Sequence, residues 1–191
     1  MGLRERKKAV TKTSIQKCAL NLFREHGYHT TTVEQIAQEA GISRRTFFRY
    51  FPKKEDVVLH DEYDLRILEA FEAQPPELGP IEALRNAMKE THSSMSDSDL
   101  IEERERNKLI SSVPELRLQS LNKITQLMSW LTEAVAKRSG RDPDDFATRM
   151  FVGAVIGIIL STELYAAEES DGDYFDLVDD ALAFLQTRLH M

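Results

Sequence analysis

The residues best suited to bind another molecule lie in one short segment, 44–50, which holds three arginines and three aromatic side chains. At about 100° per residue, a helix over this segment places Phe47 and Phe51 on one face and Arg45 and Arg49 on the opposite face. A guanidinium group can donate two hydrogen bonds to O6 and N7 of guanine, and an aromatic ring or a threonine methyl group can contact thymine. The pattern predicts a helix that reads bases in the major groove of DNA.

Two short helices joined by a tight turn would position this segment. A threonine followed three residues later by Glu or Gln occurs twice in 31–35, and this spacing is typical of a capping box at the start of a helix. Gly41 favours the left-handed backbone that ends a helix, and Ser43 is a natural N-cap for the next one. Helix, short turn and helix form the helix-turn-helix arrangement, with 44–50 as its second helix.

Charge separates the chain into a basic N-terminal part and an acidic remainder. Residues 1–55 hold 12 Lys and Arg against 5 Asp and Glu, a net charge of +7, and the remaining 13 and 27 give −14. An ordinary solvated helix face is the alternative explanation for the arginines of 44–50. Their place in a helix-turn-helix within a basic segment favours DNA binding, with the other basic residues contacting phosphates. These are Arg4, Arg6, Lys7, Lys8, Lys12, Lys53 and Lys54.

The segment Thr30–Val58 resembles the DNA-binding signature of the TetR/AcrR family of bacterial transcriptional regulators. The similarity extends over about residues 9–60. The residues that match in order and spacing are Phe23, Gly27, Thr32, Val33, Ile36, Ala37, Ala40, Gly41, Ile42, Phe47, Phe48, Tyr50, Phe51 and Lys54. The resemblance implies an all-α fold, with a helix-turn-helix DNA-binding domain over 1–53 and a larger ligand-binding and dimerisation domain over 54–191.

The resemblance also assigns roles to individual residues. It implies base contacts for Arg44, Arg45, Thr46 and Phe48, and phosphate contacts for Thr32, Tyr50 and Lys54, while Arg49 is the third arginine that the helix presents. The position of Phe48 is very often tyrosine in this family, so a hydroxyl group that would bond a phosphate is missing here. The double arginine is not general to the family and favours guanine contacts in the operator.

Apolar residues recur at spacings of three and four along nearly the whole chain, which predicts helices throughout. Gly27 and Gly140 are expected to end helices, Pro114 to begin one, and Asp142 with Pro143 to cap the next. About nine helices are predicted, over 5–26, 32–40, 44–50, 54–73, 81–93, 99–112, 114–139, 143–168 and 174–189.

The last two predicted helices are candidates for a subunit interface. Gly153 and Gly157 lie four residues apart in a helix that is apolar on all sides, and they would let another backbone approach closely. That backbone belongs either to a second subunit or to the same chain. The last helix carries an apolar stripe that includes Leu177, Ala181 and Leu185. The family resemblance implies a four-helix interface in a homodimer, which would set two recognition helices on a palindromic site.

Methionines and aromatic residues gather between the fourth and eighth predicted helices. They are either ordinary core residues or the lining of an apolar ligand cavity. His92 would be a polar contact in such a cavity, or else a surface or satisfied core residue. The candidates are Tyr63, Phe71, Met88, His92, Met95, Met128, Trp130 and Phe151.

The stretch Glu102–Arg117 resembles the corresponding part of regulators grouped with the mycofactocin-system regulator, a subgroup that tends to share the motif of 44–51. This resemblance implies an acyl-CoA-like effector. Arg104, Arg106 and Lys108 could bind its phosphates. The alternative is that they pair with the neighbouring glutamates of 102–105 within one helix.

Enzyme and membrane classes find little support in the sequence. The glycines do not cluster into a phosphate-binding loop, no His-Glu-x-x-His helix is present, and Cys18 is the single cysteine, so we expect no catalytic centre, cofactor or metal site. The longest apolar stretch, 150–160, is shorter than the ~20 residues of a membrane span. The N-terminus lacks the apolar core of a signal peptide, so we expect a cytoplasmic protein.

Together these features predict a ligand-responsive transcriptional regulator. We expect a repressor that binds a palindromic operator as a dimer and is released by a small apolar effector. The alternative is a DNA-binding interaction module without a small-molecule ligand, whose acidic helical body recruits a protein partner.

Overall fold

The computed structural model describes residues 2–60, 63–168 and 174–188, and within these ranges it contains helices and no strand. The all-α prediction is confirmed. The helices are α1 (Leu3–His26), α2 (Val33–Glu39), α3 (Arg44–Tyr50), α4 (Lys54–Leu59), α5 (Tyr63–Ala73), α6 (Pro80–Ser93), α7 (Asp97–Ser112), α8 (Pro114–Ser139), α9 (Phe146–Glu168) and α10 (Tyr174–Arg188).

The chain divides into two compact units. The first unit consists of Met1–His60 and Ser98–Ser120, and the second of Asp61–Asp97 and Leu121–Met191. The compact units therefore do not coincide with the predicted division into 1–53 and 54–191, because the segment 98–120 packs with the N-terminal helices.

A single apolar core holds the helices of the first unit together. Phe47 of α3 is fully buried, and Phe51, the first residue after this helix, is nearly so. They belong to one cluster with Phe23 of α1 and Ile36 of α2, while Val33 and Ala40 pack against its edge. The predicted inward face of the recognition helix is confirmed.

The residues predicted to begin and end α2 do so in the structure. The side-chain oxygen of Thr32 accepts a hydrogen bond from the backbone N–H of Gln35, and Gln35 Oε1 accepts one from the N–H of Thr32, which completes a capping box. Gly41 has φ +64°, and the N–H of Ile42 donates to the carbonyl of Ala37, so a Schellman motif ends α2.

Helix α7 and the start of α8 complete the first unit through one buried leucine and two ion pairs. Leu116 is fully buried in the core of this unit. Lys17 on α1 pairs with Glu102 at 2.9 Å, and Arg24 on α1 pairs with Glu105 at 3.1 Å. The hydrogen bond to Glu102 raises the pKa of Lys17. These contacts explain why 98–120 packs with the DNA-binding helices.

The second unit packs α5, α6, the later part of α8, α9 and α10 around its own core. Arg138 of α8 donates hydrogen bonds to four backbone carbonyls in the stretch 71–78, which anchors the end of α5 and the loop that follows. Arg85 of α6 holds Asp179 of α10 through two hydrogen bonds of 2.7 and 3.0 Å.

Two predicted helices differ from the structure by more than two residues at one of their bounds. A single helix over 54–73 was expected, but His60 has extended backbone (φ −70°, ψ 120°), so α4 ends at Leu59 and α5 is separate. The side-chain amide of Gln16 donates a hydrogen bond to the carbonyl of His60 at 2.8 Å, which holds that carbonyl outside a helix.

The other difference concerns the start of α9, which was predicted at residue 143. Asp142 and Pro143 form a turn in which Asp142 accepts a hydrogen bond from the N–H of Asp144. The N-cap is Asp145, whose carboxylate accepts from the N–H of Thr148, and the helix begins at Phe146. This backbone hydrogen bond lowers the pKa of Asp145.

Candidate nucleic-acid interface

The recognition helix α3 presents its charged side chains outward because Phe47 anchors the opposite face. Ser43 caps the helix, since its side-chain oxygen accepts a hydrogen bond from the N–H of Thr46 at 3.1 Å. Arg44, Arg45 and Arg49 are all exposed. The helix thus has the geometry predicted for base reading, with a rigid apolar side and a basic open side.

The two neighbouring arginines differ in their surroundings. Nη1 of Arg44 lies 2.9 Å from a carboxylate oxygen of Glu34 on α2, and its guanidinium lies over the ring of Phe48 at 5.5 Å. Arg45 has no partner among the described residues. Arg44 therefore has partners that favour one orientation, whereas Arg45 has none among the described residues.

The remaining predicted residues of α3 border this basic surface. The hydroxyl oxygens of Thr46 and Ser43 lie 2.9 Å apart, and Thr46 is half-buried. Phe48 is exposed, and the guanidinium of Arg49 lies over the ring of the half-buried Tyr50 at 5.3 Å. All of them lie on one short helix with Arg44 and Arg45.

The two predicted phosphate contacts outside α3 differ in availability. Thr32 is exposed at the start of α2. The ammonium group of Lys54 donates hydrogen bonds to the carbonyls of Tyr28 at 2.8 Å and Thr31 at 3.1 Å, and it lies 4.1 Å from the ring centre of Tyr28. Burial lowers the pKa of Lys54. In this structure Lys54 holds the turn between α1 and α2 together.

Residues predicted to line an effector site are spread over the second unit. Met88 and Phe151 lie in its buried core together with Phe71. The ring of His92 stacks on that of Phe175 at 4.5 Å. The half-buried candidates are Tyr63, Met95 and Trp130, whereas Met128 is exposed. The structure thus brings Met88 and Phe151 into one cluster and leaves Met128 at the surface.

Of the cations suggested for an effector phosphate, Arg106 is engaged elsewhere. It is buried, forms an ion pair with Glu103 on the same helix, and its Nη1 lies 3.4 Å from the carbonyl of Val58. Arg106 therefore pairs with a glutamate of its own helix, which is the alternative to binding an effector phosphate. The other glutamates of α7, Glu102 and Glu105, pair with α1 instead.

The two glycines of α9 have open space beside them. A β-carbon built on Gly153 or Gly157 would meet no heavy atom of the described residues within 4 Å. Close packing inside the subunit therefore gives no reason for glycine at either position. On α10, Leu177, Ala181 and Leu185 are half-buried, and Leu185 packs against the core.

Several residues of interest were missed in the sequence. Phe146 and Met150 are 76% and 54% exposed, and their spacing from the glycines places all four on one face of α9. Phe184 of α10 is 65% exposed. The helical spacing of 146, 150, 153 and 157 was the signal for this face. Glu34 had no comparable signal, because its distance from Arg44 depends on how α2 and α3 pack.

The described residues hold neither a metal-binding cluster nor a membrane-spanning helix. No group of three or more His, Cys, Asp or Glu side chains lies close enough together to hold a metal ion. Among the same residues, no helix combines the length and apolar character that crossing a membrane requires.

Comparison with known proteins agrees with this geometry. Residues 15–60 match the model of bacterial regulatory proteins of the tetR family, and residues 78–190, more than half of the chain, match the MftR C-terminal domain. The chain is 32% identical over 180 residues to the HTH-type transcriptional regulator TcmR of Streptomyces glaucescens, covering 89% of this chain and 80% of TcmR. It is 29% identical over 189 residues to MftR of Mycobacterium tuberculosis, named as a mycofactocin biosynthesis regulator, covering 93% of each chain.

Solved structures share the fold. FadR of Thermus thermophilus, a TetR-family repressor in complex with lauroyl-CoA, superposes with a TM-score of 0.54 at 22% identity, covering 94% of this chain and 96% of FadR. SmeT, the repressor of a Stenotrophomonas maltophilia multidrug efflux pump, gives a TM-score of 0.62 at 18% identity, covering 93% and 89%. On the strength of both domain matches and of TcmR, the chain belongs to the TetR family of bacterial regulatory proteins and is a DNA-binding transcriptional regulator with an MftR-type C-terminal domain.

Proposed function

We propose that this regulator binds a palindromic operator as a homodimer, with α3 of each subunit in the major groove. The observation that carries the proposal is that α3 buries Phe47 and presents Arg44, Arg45 and Arg49 on its open side. Arg44, Arg45, Thr46 and Phe48 contact base edges, and Thr32, Arg49 and Tyr50 contact the phosphates beside them. Lys54 holds the turn before α2 in place through two hydrogen bonds, and its third N–H group contacts a phosphate.

The dimer forms through α9 and α10. The stripe formed by the exposed Phe146, Met150 and Gly157 and the half-buried Gly153 supports this interface, because neighbouring apolar side chains exposed on one helix face favour a partner. The open space beside the glycines lets the equivalent helix of a second subunit approach closely. A twofold axis would then pair the two DNA-binding units on half-sites about one DNA turn apart.

The effector is a small apolar molecule that binds in the second unit, near Met88, His92 and Phe151. Its support is the MftR-type C-terminal domain together with two relatives of the same fold, FadR with lauroyl-CoA and SmeT in a complex with triclosan. A long acyl chain suits the methionines and aromatic rings of this unit. No observation favours the alternative of a protein-recruiting module.

Repression follows if the effector prefers a dimer whose two recognition helices no longer match the groove spacing. A ligand shifts an equilibrium only by its difference in affinity for the two states, so the effector must bind the DNA-free state more tightly. The operator must weaken effector binding by the same factor.

The proposed readout is tested by substituting Arg45 with alanine and measuring binding to an operator selected from random duplex DNA. A lost bidentate base contact costs about 1–3 kcal/mol. The loss should fall on one base pair in each half-site. Arg117→Ala is the matched control, since Arg117 is an exposed arginine of the first unit outside the helix-turn-helix. Unchanged operator affinity in Arg45→Ala would remove Arg45 from the readout.

The proposed effector class is tested with lauroyl-CoA and with lauric acid as separate probes. Release of the operator by both would assign recognition to the acyl chain, and release by lauroyl-CoA alone would require a site for the CoA phosphates. If neither probe, across a range of chain lengths, changes operator affinity, an acyl effector is excluded.

A further inference from the structure

The ion pair between Glu34 and Arg44 joins the two helices of the helix-turn-helix on the surface that carries the recognition arginines. Both side chains are exposed, with fractions of 57% and 66%. Exposed ion pairs contribute little to the stability of a fold. A carboxylate at this place also repels DNA phosphates, so it lowers affinity for every DNA sequence. Glu34 also lies in the first turn of α2, where a carboxylate favours the positive end of the helix, but neither this effect nor general affinity accounts for its pairing with Arg44.

Arg44 is held from two sides. The Glu34 carboxylate lies 2.9 Å from Nη1, and the Phe48 ring lies 5.5 Å from the centre of the guanidinium group. The opposite edge of the guanidinium, Nε and Nη2, meets no partner among the described residues. That edge is a planar fork of two donors, which matches the O6 and N7 acceptors of guanine.

We infer that Glu34 is a positioning residue for DNA recognition: its carboxylate fixes the Arg44 guanidinium so that the Nε–Nη2 edge reads a guanine. The inference rests on the proposed function and deepens it. Ordering a long arginine side chain on binding costs conformational entropy, and an arginine that is already oriented loses less. The carboxylate lowers affinity for all DNA and raises discrimination at one base pair. Arg45, which lacks such a partner, is the more tolerant reader.

The test compares base-pair discrimination among variants of the full-length protein. The wild type, Glu34→Ala, Arg44→Ala and the double variant are titrated with the selected operator and with operators changed at one base pair at a time. Glu39→Ala is the matched control, because Glu39, in the last turn of α2, is the other exposed carboxylate of that helix and forms no ion pair with a described residue.

Arg44→Ala should lower discrimination at one base pair of each half-site by about 5- to 100-fold. Glu34→Ala should lower discrimination at that same base pair by at least about threefold and raise affinity for unrelated DNA by a similar factor. Glu39→Ala should raise affinity for the operator and for unrelated DNA alike and leave discrimination unchanged. In the double variant, the loss of Glu34 should cause no further loss of discrimination.

Three results would overturn the inference, and they separate its failure from that of the proposed function. If Glu34→Ala keeps full discrimination while Arg44→Ala loses it, Glu34 does not position Arg44 and the proposed readout stands. If Glu34→Ala lowers discrimination equally with and without Arg44, Glu34 acts by another route. If Arg44→Ala changes no base preference, the assignment of Arg44 as a reader fails together with the inference.

Discussion

At the scale of single residues, the side of α3 proposed to face DNA lacks a hydroxyl group that a tyrosine at position 48 would supply. Phe48 is exposed beside Arg44, so a hydroxyl on its ring would point away from the core. Phe48→Tyr should strengthen binding by about 0.5–1.5 kcal/mol through one additional phosphate hydrogen bond. Titration of operator and unrelated DNA checks this, because a phosphate contact improves both equally. Unchanged affinity for both would mean that no phosphate lies within reach of position 48.

Lys54 has a structural role that can be measured in the absence of DNA. Its ammonium group bonds the carbonyls of Tyr28 and Thr31, so Lys54→Met should destabilise the protein without DNA by about 1–3 kcal/mol. Urea unfolding measures this loss. Lys53→Met is the control, since Lys53 is exposed and its side chain makes no cap hydrogen bond. Equal stability of the two variants would show that the Lys54 ammonium does not hold the turn.

At the scale of the helices, the bond between α6 and α10 makes stability depend on pH. Arg85 donates two hydrogen bonds to Asp179, and these lower the pKa of that carboxyl group. A group with a lowered folded pKa stabilises the fold above its unfolded pKa of about 3.9 and loses this contribution as the pH falls through the folded value.

Asp179→Asn should therefore destabilise the protein by about 1–3 kcal/mol near neutral pH, with a difference from wild type that shrinks below about pH 4. Unfolding by urea at several pH values measures both. Asp180→Asn, at the exposed neighbouring position, is the control. A loss in Asp179→Asn that is the same at about pH 3 and pH 7 would contradict an ionised Asp179 in the bond.

Helix boundaries show where sequence patterns suffice and where they do not. The start of α2 at its capping box and its end at Gly41 follow from residues within the helix and its caps, and the sequence predicts both. The end of α4 depends on Gln16, 44 residues away, which binds the carbonyl of His60. Helical periodicity carries no information about tertiary hydrogen bonds, so the sequence pattern predicts one continuous helix over 54–73.

The same distinction applies to the DNA-binding site. The outward arginines follow from helical spacing once Phe47 is taken as the inward residue. The partner of Arg44 depends on the packing angle of α2 against α3, and the engagement of Lys54 depends on the path of the turn after α1. Spacing along one helix carries no information about either.

At the scale of the whole molecule, the proposed dimer depends on open space beside the α9 glycines. Gly157→Leu should be tolerated within the subunit, because Gly157 is exposed and a β-carbon there meets no described atom within 4 Å. Leucine is also a better helix former than glycine, by somewhat less than the ~1 kcal/mol that separates alanine from glycine. The same leucine should obstruct a second subunit and shift the protein toward monomers.

Sedimentation velocity at several protein concentrations measures this shift, and circular dichroism shows that the helices are retained. Asn86→Leu is the control at an exposed position of α6, outside the proposed interface. If Gly157→Leu and wild type associate with the same dissociation constant, Gly157 does not lie at the interface.

The proposed function requires that two basic recognition helices, carried by one dimer, read a palindrome. The most direct measurement is the salt dependence of binding to the operator selected from random duplex DNA, after unfolding and refolding to remove any retained ligand. Of the proposed phosphate contacts, those of Arg49 and Lys54 neutralise charge, so two per subunit predict a palindrome whose binding falls with a log-log slope of about −3.5 against salt. Selection of no sequence, or a slope near zero, would contradict the claim.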